Sequence, residues 1–438
     1  MRPLHLRLLA LCLLILLLAC GFWARSRFTA PLPPIEVSLW YWHSPFSLPK
    51  AEVELLNGLG VKQLFVHAGE FKQSGSSVTL ILPQDWQTPS DIPVVLVFNF
   101  NFGIVLDFKS MSNDILARDV VTYLNEERDR AQKAGIKVSG FQLDFDCPTK
   151  RLPKYAEFLN KVRDGLGRKV PLSITALPTW FSSKYLSLVL DQVDFYVPQF
   201  YERDLPKTLD EFIPVSSLKM LKRGLKSAGR LGKEFYAGVP SYGHTFLFDR
   251  QRKFSGIYHD LSFREAMHHP AFRFVSASPI NAEGKLARPN NYIGEDLLEF
   301  VATRSAPDGR GLGYHLVYDI PTPELIAQYL EAVKAERPKN CRGVILFRYP
   351  EAGETMTLPL PSIASVLRGE KARPGLQVNI TASNAPWELV ETGRKVKRSP
   401  IDLNIKVTNT GSVGSALSDN AVVVELVFDL PGLEVEGP

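Results

Sequence analysis

Apolar residues in this chain gather in short runs, and stretches of helical spacing separate the runs. Strand candidates occupy 36–42, 62–67, 93–99, 138–146, 171–177, 193–200, 234–240 and 342–348. Between most of them apolar positions recur every three or four residues, as in 49–58, 112–134, 152–166, 182–191, 207–229 and 322–336, which is the period of an amphipathic helix. Eight apolar strands alternating with helices predict an α/β protein, a (β/α)8 TIM barrel over 36–371. A doubly wound sheet shares this rhythm, but it normally carries a glycine-rich phosphate loop after its first strand. Here that strand runs into Trp40-Tyr41-Trp42-His43-Ser44-Pro45.

The stretch 245–320 is too long for a simple connection. It reads as an insertion on the seventh strand–helix unit, with a helical piece near 294–304, forming one wall of a cleft. From 372 to 438 the pattern changes to short alternating segments, Leu376–Ile380, Ile401–Val407 and Val422–Phe428. Turn signals lie between them at Thr408-Asn409-Thr410-Gly411 and Asp429-Leu430-Pro431-Gly432. This predicts a small all-β, sandwich-like C-terminal domain.

The N-terminus changes the picture of where the chain works. Arg2 and Arg7 precede an apolar run from Leu8 to Ala19, 12 residues that are short for a membrane span. The run ends Leu17-Leu18-Ala19-Cys20-Gly21, which resembles a bacterial lipobox, with cleavage before Cys20 and acylation of its thiol. The expectation is a signal peptide over 1–20, a proline-bearing tether over 21–35 and a lipid anchor to the membrane. Gly21 rather than Asp after the cysteine favours the periplasmic face of the outer membrane. The alternative is an uncleaved signal anchor in the inner membrane, the run extending through Phe22-Trp23. Both place the body of the protein in the cell envelope.

The 438 residues are 45% hydrophobic and 22% charged, with a formal charge of +5. That charge is small for the length and forms no dense Lys/Arg stripe, so no nucleic-acid partner is expected. Cys147 and Cys341 fall at opposite ends of a barrel, which argues against a disulfide. No cysteine or histidine cluster has metal-site spacing. His43 and His67 lie at strand ends, but neither metal nor cofactor is expected.

The candidate chemistry begins at Gly140-Phe141-Gln142-Leu143-Asp144-Phe145-Asp146. Alternate residues of a strand share a face, so Gln142, Asp144 and Asp146 point one way and Phe141, Leu143 and Phe145 the other. Polar groups on one face of a buried strand are costly unless they are used. In a parallel barrel that face is the lumen, and its C-terminal mouth is where barrel enzymes act. Like charges so close raise one carboxyl pKa.

Four strand ends together resemble the family-eighteen glycoside hydrolases, the chitinase-like barrels. Asp144 and Asp146 fall on the second and third aspartates of their fourth-strand motif. Asp194-Phe195-Tyr196-Val197-Pro198-Gln199-Phe200-Tyr201-Glu202 resembles the sixth-strand motif, with Gln199 for Met and Glu202 for Asp. Gly238-Val239-Pro240-Ser241-Tyr242-Gly243-His244 resembles the seventh, with His244 for Arg. Phe347 takes the place of the aromatic that floors the site. The run Gln142-Leu143-Asp144-Phe145-Asp146 followed by Tyr155 also resembles a family of bacterial envelope proteins known as domain of unknown function 3142.

The first resemblance implies hydrolysis of a polysaccharide or amino-sugar polymer, with Asp146 orienting substrate and Asp144 tuning it. Gln199, Tyr201 and Tyr242 would contact the sugar, and Trp40, Trp42, Trp180 and Phe347 would stack on its rings. The chain departs from the family where the general acid should stand, which here is Pro148. Glu202 is the preferred replacement acid, with Glu351 and Glu70 as further candidates. The alternative is a barrel that binds glycan or scaffolds an envelope assembly without hydrolysing it.

Overall fold

The computed structural model describes residues 32–202, 205–258, 261–276, 296–304, 311–351, 354, 356–370, 376–384, 390–391, 394–395 and 401–409. The expected signal peptide, Cys20 and most of the expected tether lie outside the described residues. So do the central part of the insertion and much of the C-terminal segment, including 422–428.

Eight parallel strands form the barrel: β1 Glu36–Tyr41, β2 Val61–Ser74, β3 Ser90–Phe100, β4 Ile136–Asp144, β5 Leu172–Ala176, β6 Phe195–Pro198, β7 Phe235–Pro240 and β8 Cys341–Phe347. Each pairs with the next in chain order, and β1 pairs with both β2 and β8, which closes the cylinder. Gly343 makes that closure possible. It pairs with Glu36, and a Cβ there would lie 1.9 Å from the Glu36 carbonyl oxygen. Helices Lys50–Gly58, Asn113–Lys133, Leu152–Leu166, Leu186–Leu190, Leu218–Gly229 and Pro323–Glu336 follow strands around the outside where helical spacing was read. The fourth and fifth are shorter than the 182–191 and 207–229 expected, and Leu360–Leu367 adds a helix after β8.

The β2–β3 connection breaks the alternation. β2 continues past the barrel and folds back as a hairpin, Glu70 to Ser74 pairing antiparallel with Ser77 to Ile81. The lumen is filled rather than hollow. Trp40, Phe65, Val95, Val97, Phe195, Val197, Tyr236 and Ile345 pack there as one buried cluster.

After β7 the chain enters a five-stranded antiparallel sheet in the order 254–258, 245–248, 315–320, 296–302, 272–276. The helix expected near 294–304 is therefore a strand, Asp296–Ala302. It lies between two partners, and Leu297, Leu298, Phe300 and Ala302 are all buried. A run buried on both faces loses the alternation that would have marked it as a strand. Gly243 seats this sheet on the barrel mouth, because a Cβ there would overlap the Asp319 carbonyl oxygen at 1.5 Å. In the C-terminal segment Leu376–Asn384 pairs antiparallel with Ile401–Asn409, in keeping with the expected all-β domain.

Candidate active site

The fourth strand delivers its side chains as alternation requires. Phe141 and Phe145 face outward, where Phe141 packs on Phe98, and Phe145 on Phe100, Phe108 and Tyr155. Gln142 faces the lumen, where its Oε1 accepts from Trp40 Nε1 at 2.8 Å and its Nε2 lies 3.4 Å from Ser173 Oγ. One step further, Asp144 accepts from the Thr175 hydroxyl. The strand ends there, and Asp146 stands in the following loop at the barrel mouth. Trp180 braces that loop by donating from Nε1 to the Cys147 carbonyl at 2.8 Å.

A cavity of about 650 Å³ opens above the lumen. Asp144, Asp146, Gln199, Tyr201, Glu202, Tyr242, Trp42 and Phe347 all line it from the barrel side. Tyr258, Leu261, Ser262 and Glu265 of the insertion line it as well. Phe347 is the floor: its ring stacks on Tyr201 at 6.0 Å and meets Trp42 and Tyr242 edge-on at 5.5 and 5.2 Å.

Glu202 reaches the cavity from just beyond β6, in a left-handed backbone conformation with φ 49°. Few non-glycine residues adopt this conformation, and such strain often marks a functional position. Its amide donates to the Val215 carbonyl at 2.7 Å, which holds the turn. Its Oε1 accepts from the Tyr242 hydroxyl and lies 2.7 Å from His244 Nε2. The carboxylate is 41% exposed, so the described residues leave the cavity open to solvent.

The electrostatics single out the aspartate pair. Burial and the neighbouring Asp146 charge push the Asp144 carboxyl up to about 7, and only the Thr175 hydroxyl opposes them. Asp146 touches solvent, but the cavity walls strip part of its hydration, and the Glu202 charge raises it further. A proton is therefore held on this pair near neutral pH, facing a third carboxyl group. Burial also raises the Tyr201 hydroxyl well above its ordinary value, which keeps it a donor. The Cys147 thiol is pushed up to about 12 by burial and is no nucleophile. Both Cys147 and Cys341 are free thiols.

Two expected sugar-stacking residues are placed elsewhere. Trp40 is 1% exposed, in the lumen beneath Phe347, and Trp180 is fully buried against Tyr155. Both indoles serve as props, one for Gln142 and one for the Asp146 loop. Pro148, at the position of the family's acid, caps the turn Thr149–Arg151 instead.

The other two acid candidates also point away. Asn99 and Asn101 hold Glu70, and Glu351 lies 3.7 Å from His43. Neither lines the cavity, which leaves Glu202 beside the aspartates. Sequence reasoning missed His244, Glu265, Arg348 and Glu354 as lining residues. His244 was visible in the seventh-strand motif, where it stands in place of an arginine. Among the described residues no three His, Cys, Asp or Glu side chains are grouped to hold a metal ion.

Residues 108–258 match the family model described as Domain of unknown function (DUF3142). The match spans Asp144, Asp146, Tyr155, Glu202 and His244. No curated protein matches the chain. Among solved structures, the spore cortex-lytic enzyme SleL of Bacillus megaterium is similar at 16% identity and a TM-score of 0.46, covering 78% of each chain. SleL of Bacillus cereus is similar at 14% and 0.43, over 77% of this chain and 74% of that one. A glycoside hydrolase family 18 N-acetylglucosaminidase of Paenibacillus barengoltzii follows at 13% and 0.43, over 72% and 95%. The barrel itself rests on the strand pairing described above.

Proposed function

We propose that this chain is a glycoside hydrolase acting on a polysaccharide or amino-sugar polymer. One observation carries the reading: Asp144, Asp146 and Glu202 share one open, aromatic-floored cavity at the C-terminal mouth of the barrel. Cleavage of a glycosidic bond needs one carboxyl group to protonate the leaving oxygen and a second to assist attack at the anomeric carbon. The proton held on the Asp144–Asp146 pair supplies the first requirement, with Asp146 as donor and Asp144 as its partner. Glu202, held by Tyr242 and His244, supplies the second. This division of roles needs no glutamate at position 148. It also reverses the expectation that Glu202 is the acid.

Phe347 and Trp42 offer faces to the apolar side of sugar rings, and Gln199 and Tyr201 offer polar contacts. Export and lipidation at Cys20 complete the proposal, supported by the charged, apolar and small-residue order of the first 21 residues. Pro148 supports the second reading, a glycan-binding barrel without turnover.

The discriminating experiment is release of reducing ends from a panel of glycans by wild type, Asp146→Asn and Glu202→Gln. Turnover in wild type, with about 10²–10⁴-fold loss in each variant, is expected for general acid–base catalysis. Binding without turnover in wild type would sink the hydrolase reading and leave the binding one.

A further inference from the structure

We infer that the sugar polymer taken by this cavity carries free amines, and that Glu265 of the insertion wall reads their charge. The inference rests on the hydrolase reading of the same cavity and goes on to name the substrate class. Five carboxyl groups line the cavity among the described residues, from Asp144, Asp146, Glu202, Glu265 and Glu354. Against them stand Arg348 and His244. Arg348 is engaged by Glu354 in an ion pair, and His244 is engaged by Glu202. No described cation is left over to receive a carboxylate, sulfate or phosphate on a substrate. Among the described lining residues the balance of charge is negative, and such a cavity concentrates ligands of the opposite sign.

Glu265 is the group within this set that no described cation pairs and that stands outside the aspartate pair. It projects from the helix Phe263–His268 and is solvent-exposed. Its Oε2 accepts from the Ser262 amide and hydroxyl, both at 2.8 Å, closing a capping box. Those two hydrogen bonds hold its carboxyl below the usual range, so it is ionised at neutral pH. No described residue partners Oε1. The carboxylate is thus pre-oriented by its own cap, in the wall of the cavity that also holds the reacting carboxyl groups. A protonated 2-amino group there gains a charge-assisted hydrogen bond, whereas an acetamide gains only a neutral one. The two-carboxyl mechanism suits such a substrate because it does not call on an acetamide to assist attack.

The test is calorimetric binding of three oligomers of equal length: fully de-N-acetylated glucosamine, N-acetylglucosamine and a hexuronate. Each is titrated into full-length Asp146→Asn, to suppress turnover, and into that protein with Glu265→Gln added. Glutamine still closes a capping box, so the wall keeps its fold while losing the charge.

The amine oligomer is expected to bind about tenfold tighter than the acetylated one at low salt, with the gap shrinking at high salt. Glu265→Gln should weaken the amine oligomer about threefold, in line with an exposed ion pair, and leave the acetylated one unchanged. Equal or tighter binding of the acetylated or uronate oligomer overturns the inference, as does an amine preference that Glu265→Gln leaves intact. If the acetylated polymer is cleaved and the amine one is not bound, the inference fails and the hydrolase reading stands. If the amine oligomer binds as expected and wild type cleaves nothing, the reverse holds. No binding by any of the three overturns both.

Discussion

Two carboxyl groups in this molecule sit in confined places and are treated in opposite ways. Glu127, on the outer helix Asn113–Lys133, is 1% exposed. It accepts from Trp86 Nε1 at 2.7 Å and pairs with Arg130. Burial raises its carboxyl, and both partners pull back down. Asp144 is also raised by burial, but it has one hydroxyl for support and a second aspartate adding to the push. A carboxylate given a cation is being used to hold structure. One given a like charge pays in stability for a proton kept near neutral pH, which is what an acid–base site needs.

The comparison can be broken at several points. The largest effect is expected from Asp146→Asn, which removes the donor at the cavity and should lower kcat/KM about 10²–10⁴-fold on a cleaved polymer with little change in melting temperature. Glu127→Ala should do the reverse. It strands the Trp86 indole N–H and half-exposed Arg130 and should cost about 2 kcal/mol in denaturant unfolding, with kcat/KM unchanged.

Asp144→Asn should separate the two roles within one residue. The wild-type carboxyl binds its proton more tightly folded than unfolded. Its stabilising contribution is therefore present in acid and is lost as pH rises from about 4 through about 7. Asparagine does not titrate and can still accept from Thr175. The variant should gain about 1–2 kcal/mol over wild type at pH 8, gain nothing at pH 4, and lose activity at both. A variant less stable than wild type at pH 8 would show that Asp144 is structural. The smallest effect belongs to Trp42→Ala, expected to raise KM about fivefold by removing a ring face, with kcat nearly unchanged.

Much of this was legible in the chain because barrel strands are buried on both faces and read as compact apolar runs. The alternation of Phe141, Leu143 and Phe145 with Gln142, Asp144 and Asp146 put the polar side chains on the lumen side, where they are found. Glu202 could be picked out by its place just after the sixth strand. Other features could not be read. Trp40 and Trp180 follow the same strand-end pattern as Trp42, and nothing local says which indole faces a cavity and which props a loop. Asp296–Ala302 looks equally apolar as helix or strand until its two ladder partners are known. Glu265 lies more than 100 residues from Asp146 in sequence and joins it only because the insertion folds back over the barrel mouth, so no spacing could announce it.

The central claim is that the Asp144–Asp146 pair holds one proton near neutrality. Carbon-13 NMR of labelled aspartate carboxyls across a pH titration tests it most directly. The account predicts one carboxyl step near pH 7 that moves downward in Asp146→Asn, where the neighbouring charge is gone. Titration of both carboxyls to completion below about pH 5, the range of ordinary aspartates, would contradict it.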